Sequence, residues 1–235
     1  MIAMVSASAA GAVLLWSAPT IAAYAAAKAL HRRHPRAWTV PLLLAPAVML
    51  VVVLALHGSY AEYLRGTHWL LALLGPATVA FAVPVWEQRA LLRRHAAALA
   101  VGMLVGSTVS ILTAWWLASW LGVGGELRLS LVPRSVSTPF AMTVAGDIGG
   151  VPDLAAVFVV FTGVLGATIG QALLRWLPLR STLARGALFG MGAHGAGVAQ
   201  AHRVGAEEGA VAGLVMVLVG ALNVLVAPLL AMALR

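Results

Sequence analysis

Long apolar runs alternate with short basic clusters from one end of the chain to the other. The first run covers residues 1–29, with Pro19 inside it, and His31-Arg32-Arg33-His34-Pro35-Arg36 follows. A signal peptide carries its positive charge ahead of the apolar region. Here the charge comes after it, which predicts a retained first helix. The second run, 38–56, holds Pro41 and Pro46, and a polar stretch at 57–68 separates it from the third, 69–86. That third run contains Gly75-Pro76-Ala77-Thr78 and carries Pro84 near its end. Arg89, Arg93 and Arg94 form the second basic cluster. Residues 96–121 read as a long helix with Gly102 and Gly106, a spacing that permits close helix contact. The run at 152–174 is clean and carries Gly163, Gly166 and Gly170, and Arg175, Arg180 and Arg185 make the third cluster. A Gly/Ala-rich stretch at 186–204, with His194 and His202, precedes the last apolar run at 207–234.

Cytoplasmic loops of membrane proteins are enriched in Lys and Arg. Placing the three clusters there puts the N-terminus outside and allows only an even number of crossings between the second and third. The runs at 96–121 and 152–174 already supply two. Residues 127–150 are therefore expected to enter and leave from the outside as a re-entrant or half-helix pair. Six helices follow, and 186–204 is either a seventh span or a second re-entrant element. If it spans, 38–56, 69–86 and 96–121 have inverted counterparts in 152–174, 186–204 and 206–234, a plan used by secondary transporters. The expected fold is thus an all-α polytopic membrane protein, one transmembrane domain over 1–235.

Composition agrees with the pattern. Of 235 residues, 62% are hydrophobic and 9% charged, too few charges to cover a water-facing surface, where about a quarter is usual. A soluble enzyme and a disordered chain are both excluded. The net charge of +8 sits largely in the three loops, where it orients the chain in a lipid bilayer and gives no reason to expect nucleic acid. With no cysteine there is no disulfide and no thiolate chemistry, and His194 and His202 lack neighbours at metal-ligand spacing. No cofactor is expected.

Polar residues inside apolar runs carry the chemical information. Broken backbone at membrane depth belongs where protein or water satisfies it, and three segments are broken: 75–84, 132–150 and 186–204. Gly75, Pro76, Pro84, Pro133, Pro139, Gly149 and Gly150 make the breaks. Arg134 lies between Pro133 and Pro139 beside Ser135, Ser137 and Thr138, which suits an anion clamp; an interfacial Arg snorkelling to the headgroups is the other reading. Asp147 is a proton carrier, a counter-ion for Arg134, or a plain capping residue. Gly146-Asp147 also matches the Gly-Asp of intramembrane aspartyl proteases, but the only other Asp is Asp153 beside a proline, and such enzymes need a second embedded acid. No enzymatic activity is expected. His194 can donate to a substrate, carry a proton or simply pack. Glu207 and Glu208 fit a helix start, where the dipole favours acids, and Asn223 fits an interhelical hydrogen bond.

The runs Leu74-Gly75-Pro76-Ala77-Thr78-Val79-Ala80-Phe81-Ala82-Val83-Pro84 and Pro133-Arg134-Ser135-Val136-Ser137-Thr138-Pro139-Phe140-Ala141-Met142, with Ile148-Gly149-Gly150 after the second, resemble the hallmarks of the LrgB/CidB family. Thr162-Gly163-Val164-Leu165-Gly166-Ala167 and Ala184-Arg185-Gly186 with His194 and Gly197 extend the resemblance over essentially the whole chain. The family is described as antiholin-like, modulating murein hydrolase activity and lysis with a small LrgA-type (or CidA-type) membrane partner. It includes the plastid glycolate/glycerate translocator and bacterial members linked to pyruvate transport. The resemblance implies a carrier for small monocarboxylates in the bacterial cytoplasmic membrane, working as a homo-oligomer. It carries over Thr78, Arg134, Ser135, Ser137 and Thr138 as substrate-binding candidates; the reading of the residues themselves adds His194 to them and makes Asp147 and Glu208 candidates for proton coupling. Met191, Gly192 and Ala193 stand where relatives are richer in Ser and Thr, Gln200 where an Arg is typical, and Ala206 at an acidic position. If those polar groups touch substrate in relatives, a different preferred acid or weakened transport is the expected consequence.

Overall fold

The computed structural model describes residues 9–234, so the first eight residues of the first apolar run lie outside it. Every regular element among the described residues is helical. The chain divides into two compact units, one running to Ala77 and the other from Thr78 onward.

The first unit is built on α1 (Ala9–Arg33), α2 (Pro41–Ala55) and α3 (Tyr60–Ala72). Pro41 opens α2, where a missing N–H costs nothing. Trp16 of α1 is fully buried against α3, edge-on to Tyr63 with ring centres 5.9 Å apart. Ser17 Oγ donates to the Gly66 carbonyl at 2.6 Å and accepts from Trp69 Nε1 at 2.8 Å. The stretch 57–68, polar in sequence, is helical from Tyr60 because Ser59 and Glu62 form a capping box, each side chain bonding the other's backbone N–H. The third apolar helix is accordingly longer than the run at 69–86.

The second unit opens with a segmented helix, α4 (Leu74–Ala80), α5 (Ala82–Glu87) and α6 (Arg89–Arg94), the first of which begins just before the unit boundary. Then come α7 (Ala96–Trp120), α8 (Gly125–Leu131), α9 (Thr138–Ile148), α10 (Pro152–Trp176), α11 (Thr182–Val204) and α12 (Ala206–Leu234). Among the described residues, five helical stretches are long and apolar enough to cross a membrane: Ala10–Arg33, Tyr60–Glu87, Ala96–Trp120, Pro152–Trp176 and Ala206–Leu234. The shorter apolar helix Pro41–Ala55 makes a sixth candidate if the bilayer thins or flanking residues snorkel. This is a multi-pass membrane protein.

Two helical hairpins complete the second unit. In the first, α8 and α9 are too short to span, and Val151 N donates to Ser130 Oγ at 2.8 Å, tying the hairpin's exit to its entry arm. The expected re-entrant pair at 127–150 is this element. The second is α11 itself, which breaks at His194 (φ 36, ψ −121). Its two arms fold back on each other: a Cβ on Gly197 would overlap the Phe189 carbonyl, and Phe189 and Ala201 share one buried cluster with Ala212. At the open end Arg185 is ion-paired to Glu208 at 2.6 Å. A straight α11 would put those residues about 30 Å apart. The stretch 186–204 is therefore a re-entrant hairpin and not a seventh span.

That outcome removes the symmetry that depended on a span there. Two segments instead share a plan: α7 plus the first hairpin, 96–148, and α10 plus the second, 152–204. They are equal in length, and each opens with a 25-residue helix ending in Trp. The first hairpin leads into the start of α10 and the second leaves from its end, so the two enter from opposite faces.

Gly163, Gly166 and Gly170 of α10 seat the second hairpin. Cβ atoms there would press respectively on the His194 ring, the Gly192 carbonyl and the Phe189 ring. Of the GxxxG pair on α7, only Gly106 makes a close contact, with Met191; Gly102 faces open space.

Candidate functional site

In the first hairpin, the helical pattern lapses between Leu131 and Thr138. Pro133 and Pro139 cannot donate to a helix ladder, and the chain descends through turns, Arg134 N to Leu131 O and Val136 N to Pro133 O, both 3.3 Å. Pro139 lies in the first turn of α9, where it is tolerated. At the far end Gly149 adopts φ 89, and Gly150 N bonds Ala145 O at 2.7 Å. This is the left-handed cap that glycine makes without a Cβ penalty.

Arg134 is half-buried in this break, and its Nη1 donates to Ser135 Oγ at 3.3 Å. Among the described residues no carboxylate lies within ion-pair distance of it. Ser137 occupies the N-cap of α9, yet its hydroxyl caps nothing and is buried without a partner. An unpaired buried polar group costs about 1–3 kcal/mol.

The break of the second hairpin lies against this one. His194 is 4% exposed, and its ring meets the main chain of Arg134. Gly163 leaves it room, since a Cβ there would sit 2.9 Å from its Cε1. Its Nε2 is buried and unpartnered. A non-glycine residue at this φ and ψ carries strain of about 1–3 kcal/mol. The two tips, in contact through the His194 ring and the Arg134 main chain, thus carry between them a guanidinium, two orphaned polar atoms and the starts of two helical arms, α9 and residues 195–204. Free N–H groups and the helix dipole at such starts favour an anion. Gly163 is near the middle of α10, so the junction lies deep between the two faces.

The remaining sequence candidates divide between the junction and other parts of the fold. Ser135 joins the junction, and Thr138 is the first residue of α9. Thr78 instead lines an open apolar groove with Phe81, Phe140 and Val217. Gly75 and Pro76 are exposed in α4, and Pro84 is half-buried in α5. Asp147 is exposed on the last turn of α9 and neither pairs with Arg134 nor supplies the cap, which Gly149 and Gly150 make. Glu208 is in the first turn of α12, as its position implied, and is held by Arg185 through Nε at 2.9 Å and Nη2 at 2.6 Å.

The sequence reading does not single out Ser107 and Ser110, and it notes Met191 only as a departure from the Ser/Thr of relatives. Asn223 Nδ2 donates to Ser107 Oγ at 3.1 Å and to Val219 O at 2.8 Å, the interhelical bond expected of it. Ser107 and Asn223 wall a cavity of about 10 Å³ with Ser110, Pro133, Ser135, Val136 and Met191. That is room for about one water. Ser110 Oγ is buried there without a partner. The available signal was two serines and an asparagine in otherwise apolar helices.

Residues 20–233 match the LrgB-like family. Protein YwbG of Bacillus subtilis strain 168 is 39% identical over 211 residues, covering 90% of this chain and 94% of that protein. YxaC of the same strain is 34% identical over 186 residues, 79% of this chain and 81% of the relative. The holin-like protein CidB of Staphylococcus aureus strain N315 is 26% identical over 211 residues, 90% and 92% of the two chains. No solved structure gives a significant match. With the family matched over nearly its whole length, and the Arg134 and His194 segments forming the tips of two opposed hairpins, this chain belongs to the LrgB-like family.

Proposed function

We propose that the protein is a membrane carrier, not an enzyme, for small monocarboxylates of the glycolate, glycerate, lactate and pyruvate kind. The observation that carries this reading is Arg134, a cation without a carboxylate partner where two broken hairpins meet. An ionisable residue in such a place is costly unless it serves a ligand or a transported ion. A carboxylate would take a charge-assisted pair of bonds from the guanidinium, with Ser135 and Ser137 at hand for its oxygens. His194 Nε2 could bond a ligand's second polar group or carry a proton. Hairpins entering from opposite faces also suit alternating exposure of one site. The basic loops favour a bacterial cytoplasmic membrane with the N-terminus outside. Uptake of labelled glycolate, glycerate, lactate and pyruvate by the reconstituted protein tests the reading; folded protein that takes up none of the four contradicts it.

A second reading rests on the holin-like name of the Staphylococcus relatives. In it the protein regulates murein hydrolase export or autolysis with a small LrgA-type membrane partner, as a homo-oligomer or hetero-complex. It predicts that a transport-dead Arg134→Ala variant keeps wild-type control of lysis. Loss of both properties together would tie them to one site.

A further inference from the structure

A second, larger cavity of about 340 Å³ lies beside the small polar one. It is lined by apolar residues such as Ala98, Leu99 and Met103 of α7, Leu183 and Ala187 of the second hairpin's first arm, and Val215. Ser181 and Ala184 also line it, flanked in sequence by Arg180 and Arg185. The α7 wall begins just after Arg93 and Arg94. The cavity therefore lies toward the end of the molecule that bears the second and third basic clusters, whose field would concentrate anions at its mouth.

One side chain borders both spaces. Met191 lines the 340 Å³ cavity and the 10 Å³ cavity alike. Its thioether lies on Gly106, where a Cβ would come within 2.9 Å of Met191 Cε. A methionine is unbranched and moves between rotamers more readily than a branched side chain. The bare surface of Gly102, one turn along α7, also lines the larger cavity and offers space into which it can swing. Beyond Met191 stand Ser107, Ser110, Ser135 and Asn223, and Arg134 is the neighbour of Ser135.

We propose that Met191 is the shutter between a vestibule open toward the basic loops and an inner polar compartment, walled by Ser107, Ser110, Ser135 and Asn223, that receives the hydrogen-bonding end of a small hydrophilic anion. The proposal rests on the carrier reading for its purpose, though its test reads water access and not solute uptake. The compartment at rest has room for about one water, so a ligand enters only after the methionine leaves.

The absence of cysteine from the sequence makes the test direct. Ser110→Cys is placed behind the shutter and Ala98→Cys in the vestibule, each alone in the full chain in membrane vesicles. Both are reacted with a water-soluble, membrane-impermeant methanethiosulfonate applied from the face bearing the basic loops. The expected result is slow labelling at Ser110→Cys, accelerated at least tenfold by adding Met191→Ala and unchanged by the volume-conserving Met191→Leu. The Ala98→Cys rate is expected to be fast and the same in all three backgrounds, which also reports that the vestibule is intact. Equal Ser110→Cys rates with Met191 and with Ala at that position would overturn the proposal. So would labelling of Ser110→Cys as fast as Ala98→Cys in the unmodified background. Glycolate uptake by the wild type is scored separately, so a failed carrier reading and a failed shutter give different results.

Discussion

The two hairpins solve one problem by different chemistry. Both must interrupt a helix at membrane depth and keep the freed backbone away from lipid. The first spreads its break over residues 132–137, using Pro133 and Pro139 to prevent helix and Arg134 and Ser135 to fill the gap. The second turns at one residue, His194, with no proline, and relies on glycines that let α10 and its own return arm press against it. The first break is thus open and polar, and the second is tight and packed. The comparison teaches that similar architecture need not mean similar roles. The first hairpin supplies the charge, and the second supplies a rigid wall with one imidazole.

The largest expected effect on that contrast comes from the packing. Gly166→Val drives a side chain into the Gly192 backbone, which cannot yield as a flexible side chain can. We expect a loss of about 3 kcal/mol, the upper end for overpacking, read by thermal unfolding of the purified protein. Gly102→Val, facing open space on α7, should change the transition little. A milder lesion acts at the open end of the second hairpin. Arg185→Ala leaves Glu208, 5% exposed, without its partner. The cost should be about 2 kcal/mol, below that of a fully buried pair because Arg185 is a third exposed. Adding Glu208→Gln should recover part of that stability, and no recovery would mean the pair does not anchor the hairpin. The smallest effect concerns the turn itself. His194→Gly should be more stable than His194→Ala by about 1 kcal/mol, since both remove the ring and only glycine suits the backbone. Equal melting of the two variants would argue against strain at this position.

Much of the architecture was legible in the chain. Apolar runs bounded by Arg clusters gave the long helices, and counting crossings between clusters required a hairpin at 127–150. Pro133 and Pro139 marked its break because proline acts on the backbone locally. The second hairpin was harder to read, since His194 carries no residue-level sign of a positive φ. Its turn is enforced by tertiary contacts with Gly163 and Gly197, which sequence spacing does not reveal. The helical start at Tyr60 did have a signal, the Ser59–Glu62 capping box, hidden by the polarity of the stretch around it. The family resemblance groups Thr78 with Arg134, whereas in space Thr78 lines an apolar groove together with Phe140. The serines of α7 escaped notice because a lone hydroxyl in an apolar helix ordinarily bonds its own backbone, as Thr113 does to Val109 O at 2.7 Å.

The central claim is that the unpaired arginine at the meeting of the two tips holds the transported anion. Glycolate uptake by reconstituted wild type, Arg134→Ala and Arg134→Lys measures it most directly, with thermal unfolding run alongside. The account predicts that Arg134→Ala lowers uptake on the order of 100-fold, the worth of two charge-assisted bonds, while unfolding no earlier than wild type. Lys should restore part of the loss, because it keeps the charge and forfeits the planar fork. An Arg134→Ala protein that transports glycolate at the wild-type rate would contradict the account.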